Sequence, residues 1–166
     1  MTRRRWWWPT SYAPSVGAID IDLLAANGFA GVIIDLDNTL VGHRQRVPGD
    51  RDARWIVEAR ERGLRLVMVT NNGTPWAAGV ARDLGIPCIS NARKPLPAGF
   101  RRALGLLALP RESVIVVGDQ LFTDIVGAKM FGLAAILVEP LVRHDPLNTR
   151  PLRLLERWLL RGLPRN

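Results

Sequence analysis

The stretch that decides the fold is "VIIDLDNTL", residues 32–40, in which an apolar run leads into two aspartates, Asp35 and Asp37. A short β-branched run of this kind is typical of a strand buried on both faces. Where such a strand ends, a loop can turn both carboxylates towards one ion. Two close carboxylates repel unless a cation or a shared proton relieves them, and a divalent metal would leave one oxygen as a nucleophile. The alternative is a strand end with two solvated acids.

Further short apolar runs follow this one along the chain, separated by segments with helical spacing. The strands are predicted at residues 30–36, 64–70, 86–90, 113–119 and 134–140. The helices are predicted at residues 16–26, 50–62, 74–84, 97–109, 121–131 and 151–162. We expect Asp50 to cap its helix and Gly63 to end it. The alternation predicts one α/β domain over residues 1–166, with a five-stranded parallel sheet flanked by helices.

Three other motifs follow predicted strands. "VTNN" places Thr70 and Asn71, "ARKPL" places Lys94, and "VVGDQLFTD" places Asp119 and Asp124. The carboxyl ends of parallel strands meet at one edge of the sheet, where α/β folds bind ligands. Hydroxyl, amide and ammonium groups there would bind phosphate oxygens. Taken singly, each motif could instead be a plain turn, a solvated lysine or a helix N-terminal acid.

Taken in order, these motifs resemble those of the haloacid dehalogenase (HAD) superfamily of phosphohydrolases. The resemblance covers residues 35–138 and implies a Rossmann-like fold. It implies that Asp35 is the nucleophile and Asp37 the general acid and base, with Lys94 completing the catalytic set. It further implies the following assignments. Substrate is bound by Thr70, Asn71 and Lys94, metal is held by Asp35, Asp37 and Asp119, and Asp124 supports the site.

The metal is expected to be Mg²⁺, because carboxylate and water oxygens suit a hard cation. Mn²⁺ remains open. A narrower resemblance, to the YqeG-like branch of the superfamily, is carried by "GDQLFTDIVGA" at residues 118–128 and "ILVEPL" at residues 136–141. That branch includes phosphatidylglycerophosphate phosphatases. The resemblance therefore implies a phosphorylated substrate with an anionic lipid headgroup. A soluble phosphatase for a sugar or nucleotide phosphate is the alternative within this chemistry.

The two gaps that could hold a cap domain are short. Residues 41–63 leave room for a loop, "VGHRQRVPG", and one helix, and residues 73–93 for a helix and a strand. The sequence therefore predicts a phosphatase without a cap domain, whose metal is open to large or anchored substrates. His43, Arg44 and Arg46 in the loop could meet substrate anions or could simply be solvated.

The net charge is +8 with a pI near 11.2, which favours anionic partners or reflects base composition. A basic nucleic-acid or ribosome-associated protein is the alternative outside enzymes. We do not expect it, because the cations are scattered and no known nucleic-acid motif is present. The single cysteine, Cys88, fits a reducing compartment, and no apolar run is long enough to span a membrane. The chain is expected to be cytoplasmic.

The two ends of the chain have unusual compositions. Residues 1–15 form a basic, tryptophan-rich head containing "RRRWWW", and residues 145–166 are predicted to form an amphipathic helix. Its leucines and arginines fall largely on different faces: Leu152, Leu155, Leu159 and Leu163 against Arg153, Arg157 and Arg161. Tryptophan and arginine favour an anionic membrane surface, so both ends could hold the protein peripherally on the inner face of the cell membrane. Alternatively, both pack on the domain.

Overall fold

In a computed structural model, which describes residues 6–42 and 45–142, six parallel strands form one sheet in the order β1-β6-β5-β2-β3-β4. The strands are β1 Ser11–Ala13, β2 Gly31–Ile34, β3 Arg65–Val69, β4 Cys88–Ile89, β5 Val114–Gly118 and β6 Ala134–Val138. The α-helices are α1 Ile21–Ala26, α2 Asp50–Glu61, α3 Pro75–Asp83, α4 Pro97–Leu107 and α5 Gly127–Met130. The predicted five-stranded sheet is confirmed, and an edge strand is added.

The additional strand, β1, lies inside the segment expected to be a separate head. It pairs in parallel with β6, and Thr10 just before it donates its N–H to the carbonyl of Ala135 at 2.7 Å. Ser11 and Tyr12 are exposed, so the three-residue strand has neither an apolar run nor a buried face. A short edge strand of this kind leaves no periodicity in the sequence.

The sheet separates two hydrophobic cores, one on each face. In β2, Val32 and Ile34 pack into one core and Ile33 into the other, because successive side chains point to opposite faces of a strand. Trp55 of α2 closes the first core and donates its indole N–H to the carbonyl of Ile19 at 2.7 Å. Phe100 of α4 is fully buried in the second. Helices on both faces therefore bury the central strands completely.

Helix ends follow the sequence signals in part. Gly63 adopts φ +86° just after α2, as predicted for a residue that ends a helix. The expected cap at Asp50 is wrong: Gly49 is the N-cap residue, and Asp50 is already helical. Asp52 faces inward and accepts the N–H of Gly17 at 2.7 Å. An acid within the first turn still favours the helix through its dipole, which is why Asp50 reads as a cap.

The segment expected to be one helix over residues 16–26 is divided in two. A 3₁₀ turn at Val16–Ala18 comes first, and α1 starts after Asp20, whose side chain accepts the N–H of Leu23 at 3.0 Å. Asp20 is a favourable N-cap residue and interrupts the helical hydrogen bonding at that point.

The loops that could carry a cap domain are short. Among the described residues, only α2 lies between β2 and β3, and only α3 lies between β3 and β4. The absence of a cap domain, predicted from these gaps, is confirmed over this part of the chain. Within the same residues, no helix is both long and apolar enough to cross a membrane. The predicted helix at residues 145–166 lies outside the described residues.

Replacing Phe100 with alanine is expected to lower the free energy of unfolding by about 3–5 kcal/mol, because it leaves a cavity in the second core. Leu106 lies on the same helix but is 57% exposed, so Leu106→Ala is the matched control and should change stability by less than about 0.5 kcal/mol. Chemical unfolding of both variants measures the difference. Equal losses would contradict the assignment of α4's inner face.

Candidate active site

Asp35 and Lys94 form the buried centre of the site. Asp35 follows β2, and one of its oxygens, Oδ1, accepts from the Nζ of Lys94 at 2.6 Å. The same Nζ donates to Oδ1 of Asp124 at 2.6 Å. All three side chains are almost fully buried. A buried ammonium between two carboxylates fixes their positions, because breaking such a pair leaves an uncompensated charge and costs about 3–5 kcal/mol.

Thr39 joins Asp35 to the acid that follows β5. Its Oγ1 lies 3.1 Å from Oδ2 of Asp35 and 3.2 Å from Oδ1 of Asp119, and it accepts the N–H of Asp119 at 3.0 Å. A hydroxyl has one proton, so the two carboxylate oxygens share a single donor. Thr39 therefore holds both carboxylates close together without neutralising either of them.

The resulting cluster carries excess negative charge. Oxygens of Asp35, Asp119 and Asp124 lie within 4.8 Å of one another, and Lys94 is the cation that contacts two of them. With all three carboxylates ionised, the cluster and its one ammonium carry a net charge of −2, which a divalent cation would balance, and carboxylate oxygens are suitable ligands for a hard ion. These residues therefore fit a divalent metal.

The excess of negative charge also shifts the pKa values of Asp35 and Lys94. Burial, together with the neighbouring charges of Asp124 and Asp119, raises the pKa of Asp35 to about 8, even though Lys94 acts in the opposite direction. Burial would lower the pKa of Lys94, but the carboxylates of Asp124 and Asp35 outweigh it and raise that pKa. Lys94 is therefore a permanent cation here. A metal beside Asp35 would favour its ionised form.

Asp37 accepts hydrogen bonds from residues that follow β3. Its Oδ2 accepts from the hydroxyl of Thr70 at 3.0 Å, and its Oδ1 accepts from the amide of Asn72 at 3.1 Å. The Thr70 hydroxyl in turn accepts the N–H of Asn72 at 3.0 Å. Thr70 and Asn72 thus fix the orientation of Asp37 beside the nucleophile candidate.

Thr70 and Asn72 bond to Asp37, whereas Asn71 bonds to the backbone of Lys94. Its side-chain amide donates to the carbonyl of Lys94 at 3.1 Å, and its side-chain oxygen accepts the N–H of Lys94 at 2.7 Å. These two bonds attach the loop after β4 to the loop after β3. Asn71 therefore positions Lys94 through its backbone. Its predicted contact with substrate stays a prediction.

Asp124 lies in a π-helical turn that directly follows β5 and brings its carboxylate to the site. Residues Leu121–Val126 form a π-helical turn, and the second oxygen of Asp124 accepts the N–H of Gln120 at 3.1 Å. A Cβ placed on Gly118 would lie 2.4 Å from the Asp124 carboxylate. Glycine is therefore required at 118, because any side chain there would expel the partner of Lys94.

Comparisons with known proteins agree with this geometry. A family model described as haloacid dehalogenase-like hydrolase matches residues 50–132. The "Probable phosphatase YqeG" of Bacillus subtilis is 35% identical over 162 residues, which cover 98% of this chain and 94% of that protein. The chain belongs to the haloacid dehalogenase (HAD) superfamily. Members of this superfamily generally use a divalent metal, in agreement with the carboxylate cluster.

Other comparisons give a plant relative and a solved structure with a similar fold. The "Phosphatidylglycerophosphate phosphatase 1, chloroplastic/mitochondrial" of Arabidopsis thaliana is 30% identical over 167 residues, covering 87% of this chain but 46% of that longer protein. The crystal structure of 3-deoxy-D-manno-octulosonate 8-phosphate phosphatase from Yersinia pestis has a similar fold. The two structures align with a TM-score of 0.56 at 17% identity, over 80% of this chain and 74% of that one.

The sequence-predicted residues all meet at one edge of the sheet, although they form two groups. Asp35, Lys94, Asp119 and Asp124 lie in the carboxylate cluster, and Thr70 lies with Asp37. The predicted metal set of Asp35, Asp37 and Asp119 stays a prediction. The cluster includes the carboxylate of Asp124, and Asp37 is engaged by Thr70 and Asn72. His43 and Arg44 lie outside the described residues.

Three residues of the HAD site were missed from sequence. Thr39 and Asn72 are described above. Asn38, at φ +67°, exchanges hydrogen bonds with the backbone of Val142, at 3.1 Å and 2.9 Å. This left-handed conformation is one that asparagine tolerates. The signal was present in the polar "DNT" at residues 37–39, but hydrogen bonds to the residue after β5 and to residue 142 have no signature in local sequence.

Without divalent cations, the free energy of unfolding is expected to fall as the pH rises. The Asp35 carboxyl ionises near 3.8 in the unfolded chain and near 8 in the folded one. Between these values the folded state binds more protons, so rising pH favours unfolding. Chemical unfolding in EDTA at about pH 5 and about pH 8 measures this change. Asp35→Asn removes the titrating group and should reduce the slope, whereas a steeper slope in that variant would contradict the assignment.

Thr39→Val should lower stability by about 1–3 kcal/mol, because the buried N–H of Asp119 loses its acceptor and two carboxylates lose their shared donor. Thr39→Ser keeps the hydroxyl and serves as the control. Thermal unfolding and phosphatase assays with p-nitrophenyl phosphate should show a larger loss for valine than for serine. If serine is as damaging as valine, the methyl group matters and the hydroxyl does not.

Proposed function

We propose that this HAD-type phosphatase hydrolyses the phosphomonoester of phosphatidylglycerophosphate, releasing phosphatidylglycerol and inorganic phosphate. The observation that carries the chemistry is the buried ammonium of Lys94 between Asp35 and Asp124, at 2.6 Å from each. The substrate is supported by the Arabidopsis relative, which bears that activity in its name. A phosphate ester at this edge would meet a carboxylate nucleophile and a permanent cation together.

In the proposed reaction, an oxygen of Asp35 attacks phosphorus while the bond from phosphorus to the ester oxygen breaks. Asp37 gives a proton to the departing alkoxide. A water molecule then attacks the aspartyl-phosphate, and Asp37 takes its proton as inorganic phosphate leaves Asp35. The hydrogen bonds from Thr70 and Asn72 support this role, since they attach the carboxylate of Asp37, which follows β2, to the end of the neighbouring strand β3.

Charge on the phosphoryl oxygens has to be offset during both steps. Lys94 supplies one fixed positive charge, and the Thr70 hydroxyl can turn from Asp37 to donate to a phosphoryl oxygen. We infer that the metal is Mg²⁺ and that Asp35 and Asp119 hold it. When bound, it would supply further positive charge beside the phosphoryl group.

The open site supports a lipid substrate. No cap domain lies over the sheet edge in the described residues, so a phosphate displayed at a surface can reach Asp35. We infer that the protein works in the cytoplasm, peripherally at the inner face of the cell membrane. The net charge of +8 favours anionic lipid there. Nucleic acid is not expected as a partner.

Asp35→Asn should lower turnover of phosphatidylglycerophosphate in mixed micelles by at least about a thousandfold, because the amide cannot act as nucleophile. Excess EDTA should abolish the activity, and added Mg²⁺ should restore it. Asp83→Asn, at an exposed acid of α3, is the control and should keep wild-type turnover. Phosphate release is the measurement.

Three results would contradict the proposal. Wild-type protein that cleaves sugar or nucleotide phosphates but ignores the lipid would refute the lipid substrate and keep the chemistry. Lipid hydrolysis that persists in Asp35→Asn would refute the nucleophile. Inactivity on every ester would point to a binding role instead.

A further inference from the structure

Exposed apolar side chains surround the catalytic edge of the sheet. Val47, Leu96, Phe122 and Leu141 are exposed by 67, 56, 46 and 38%. They follow β2, β4, β5 and β6 in the chain, so all four come after the carboxyl ends of parallel strands. Phe122 lies in the π-helical turn after β5, and the other three lie in the connections after their strands. We call these four residues the apolar rim. Exposed large apolar side chains gathered around one site are typical of an interaction surface.

The rim is joined to the catalytic residues by short covalent and hydrogen-bonded paths. Leu96 comes two residues after Lys94, and Phe122 lies between Asp119 and Asp124. The N–H of Leu141 donates to the carbonyl of Asn38 at 3.0 Å, next to Asp37 in the chain. The rim therefore lies at the same edge of the sheet as Asp35.

The loop that carries Val47 is held in place. The indole of Trp76, in the first turn of α3, donates to the carbonyl of Arg46 at 3.0 Å. The backbone at residue 46 is thus fixed against the helix that follows β3. Val47 is presented at a defined position beside the site.

Exposed arginines accompany the apolar residues. Arg46 directly precedes Val47, and Arg93 comes three residues before Leu96; both are exposed. Apolar side chains beside arginines are suited to the boundary of an anionic bilayer, where the apolar groups leave water and the guanidinium groups meet lipid phosphates. This charge pattern favours a lipid surface over a neutral protein surface.

The tryptophans Trp6, Trp7 and Trp8 lie near the amino ends of the strands, at the end of the sheet opposite to Asp35. They precede β1, which runs parallel to β6, and Thr10 pairs with Ala135 near the start of β6. Trp7 packs against the second core, and the indole nitrogen of Trp8 is buried. Trp6 is 65% exposed. A membrane held at this edge alone would face away from Asp35, so the described tryptophans do not account for access to a lipid headgroup.

We propose that the apolar rim rests on the surface of an anionic lipid bilayer and presents Asp35 to the headgroup phosphate. The proposal rests on the proposed lipid substrate and adds the orientation of the protein. The rim enters the interface, the edge that carries Trp6 faces the aqueous side, and the substrate reaches the site without leaving the bilayer.

The test uses two double variants of the full-length protein. Val47→Gln with Leu96→Gln alters the rim. Met130→Gln with Leu106→Gln is the control, because these residues are 68% and 57% exposed but end helices at the amino edge of the sheet. Both are compared with wild type by co-sedimentation with vesicles of equal parts phosphatidylcholine and phosphatidylglycerol. Thermal unfolding reports whether each variant is folded.

The rim variant should bind vesicles roughly tenfold more weakly than wild type, because two apolar side chains no longer enter the interface. Its turnover of phosphatidylglycerophosphate in vesicles, divided by its turnover of p-nitrophenyl phosphate, should fall by a similar factor. The control variant should match wild type in both. Equal behaviour of the two variants, or wild-type protein that does not bind vesicles, would overturn the proposal.

Two further outcomes distinguish membrane docking from self-association and from a different substrate. A rim variant that changes the oligomeric state in light scattering, with unchanged vesicle binding, would show that a second copy of the chain covers the rim and would overturn the proposal. Wild-type protein that binds vesicles through the rim but leaves phosphatidylglycerophosphate intact would refute the proposed substrate and keep the docking surface.

Discussion

The ammonium of Lys94, buried between Asp35 and Asp124, is the interaction on which the rest of the site depends. One cation bonded at 2.6 Å to each of two carboxylates ties the loops after β2, β4 and β5 together. Because the three groups are desolvated, the geometry tolerates little movement without exposing an unpaired charge.

The parallel sheet brings these residues together. Parallel strands bring their carboxyl ends to one edge, and buried apolar residues on both faces keep those ends in register. Local hydrogen bonds and one glycine then orient the side chains. Asn71 holds the backbone of Lys94, Thr39 joins Asp35 to Asp119, and glycine at 118 leaves room for Asp124. The remaining charge of −2 in the cluster is what makes a divalent cation an expected component.

Much of this could be read from sequence, for physical reasons. Buried parallel strands are short apolar runs, and the motifs follow them directly, so the sheet and the positions of Asp35, Lys94 and Asp119 were predictable. Strand β1 was not, because a three-residue edge strand buries no face. That Asp35 and Asp37 have different hydrogen-bond partners was not predictable either. It depends on Thr39, Thr70 and Asn72, whose partners lie on other strands.

The position of the tryptophans shows the same limit. Their composition favoured a membrane, but the parallel pairing of β1 with β6 puts the described ones at the edge opposite Asp35. The exposed apolar residues that follow strands at the edge of Asp35 have no individual signature: Val47, Leu96, Phe122 and Leu141. Sequence identifies residues suited to a bilayer, whereas topology decides which of them can face it together with the nucleophile.

The central claim, that Asp35 is the nucleophile and Asp37 serves the second step, is tested most directly by trapping the intermediate. Asp37→Asn mixed with p-nitrophenyl phosphate should still transfer phosphate to Asp35, because this leaving group needs little protonation, and should hydrolyse the product slowly. Acid quenching and peptide mass mapping should then find a phosphoryl group on Asp35. Phosphate on another residue, or turnover without any covalent phosphate in wild type and variant, would contradict the account.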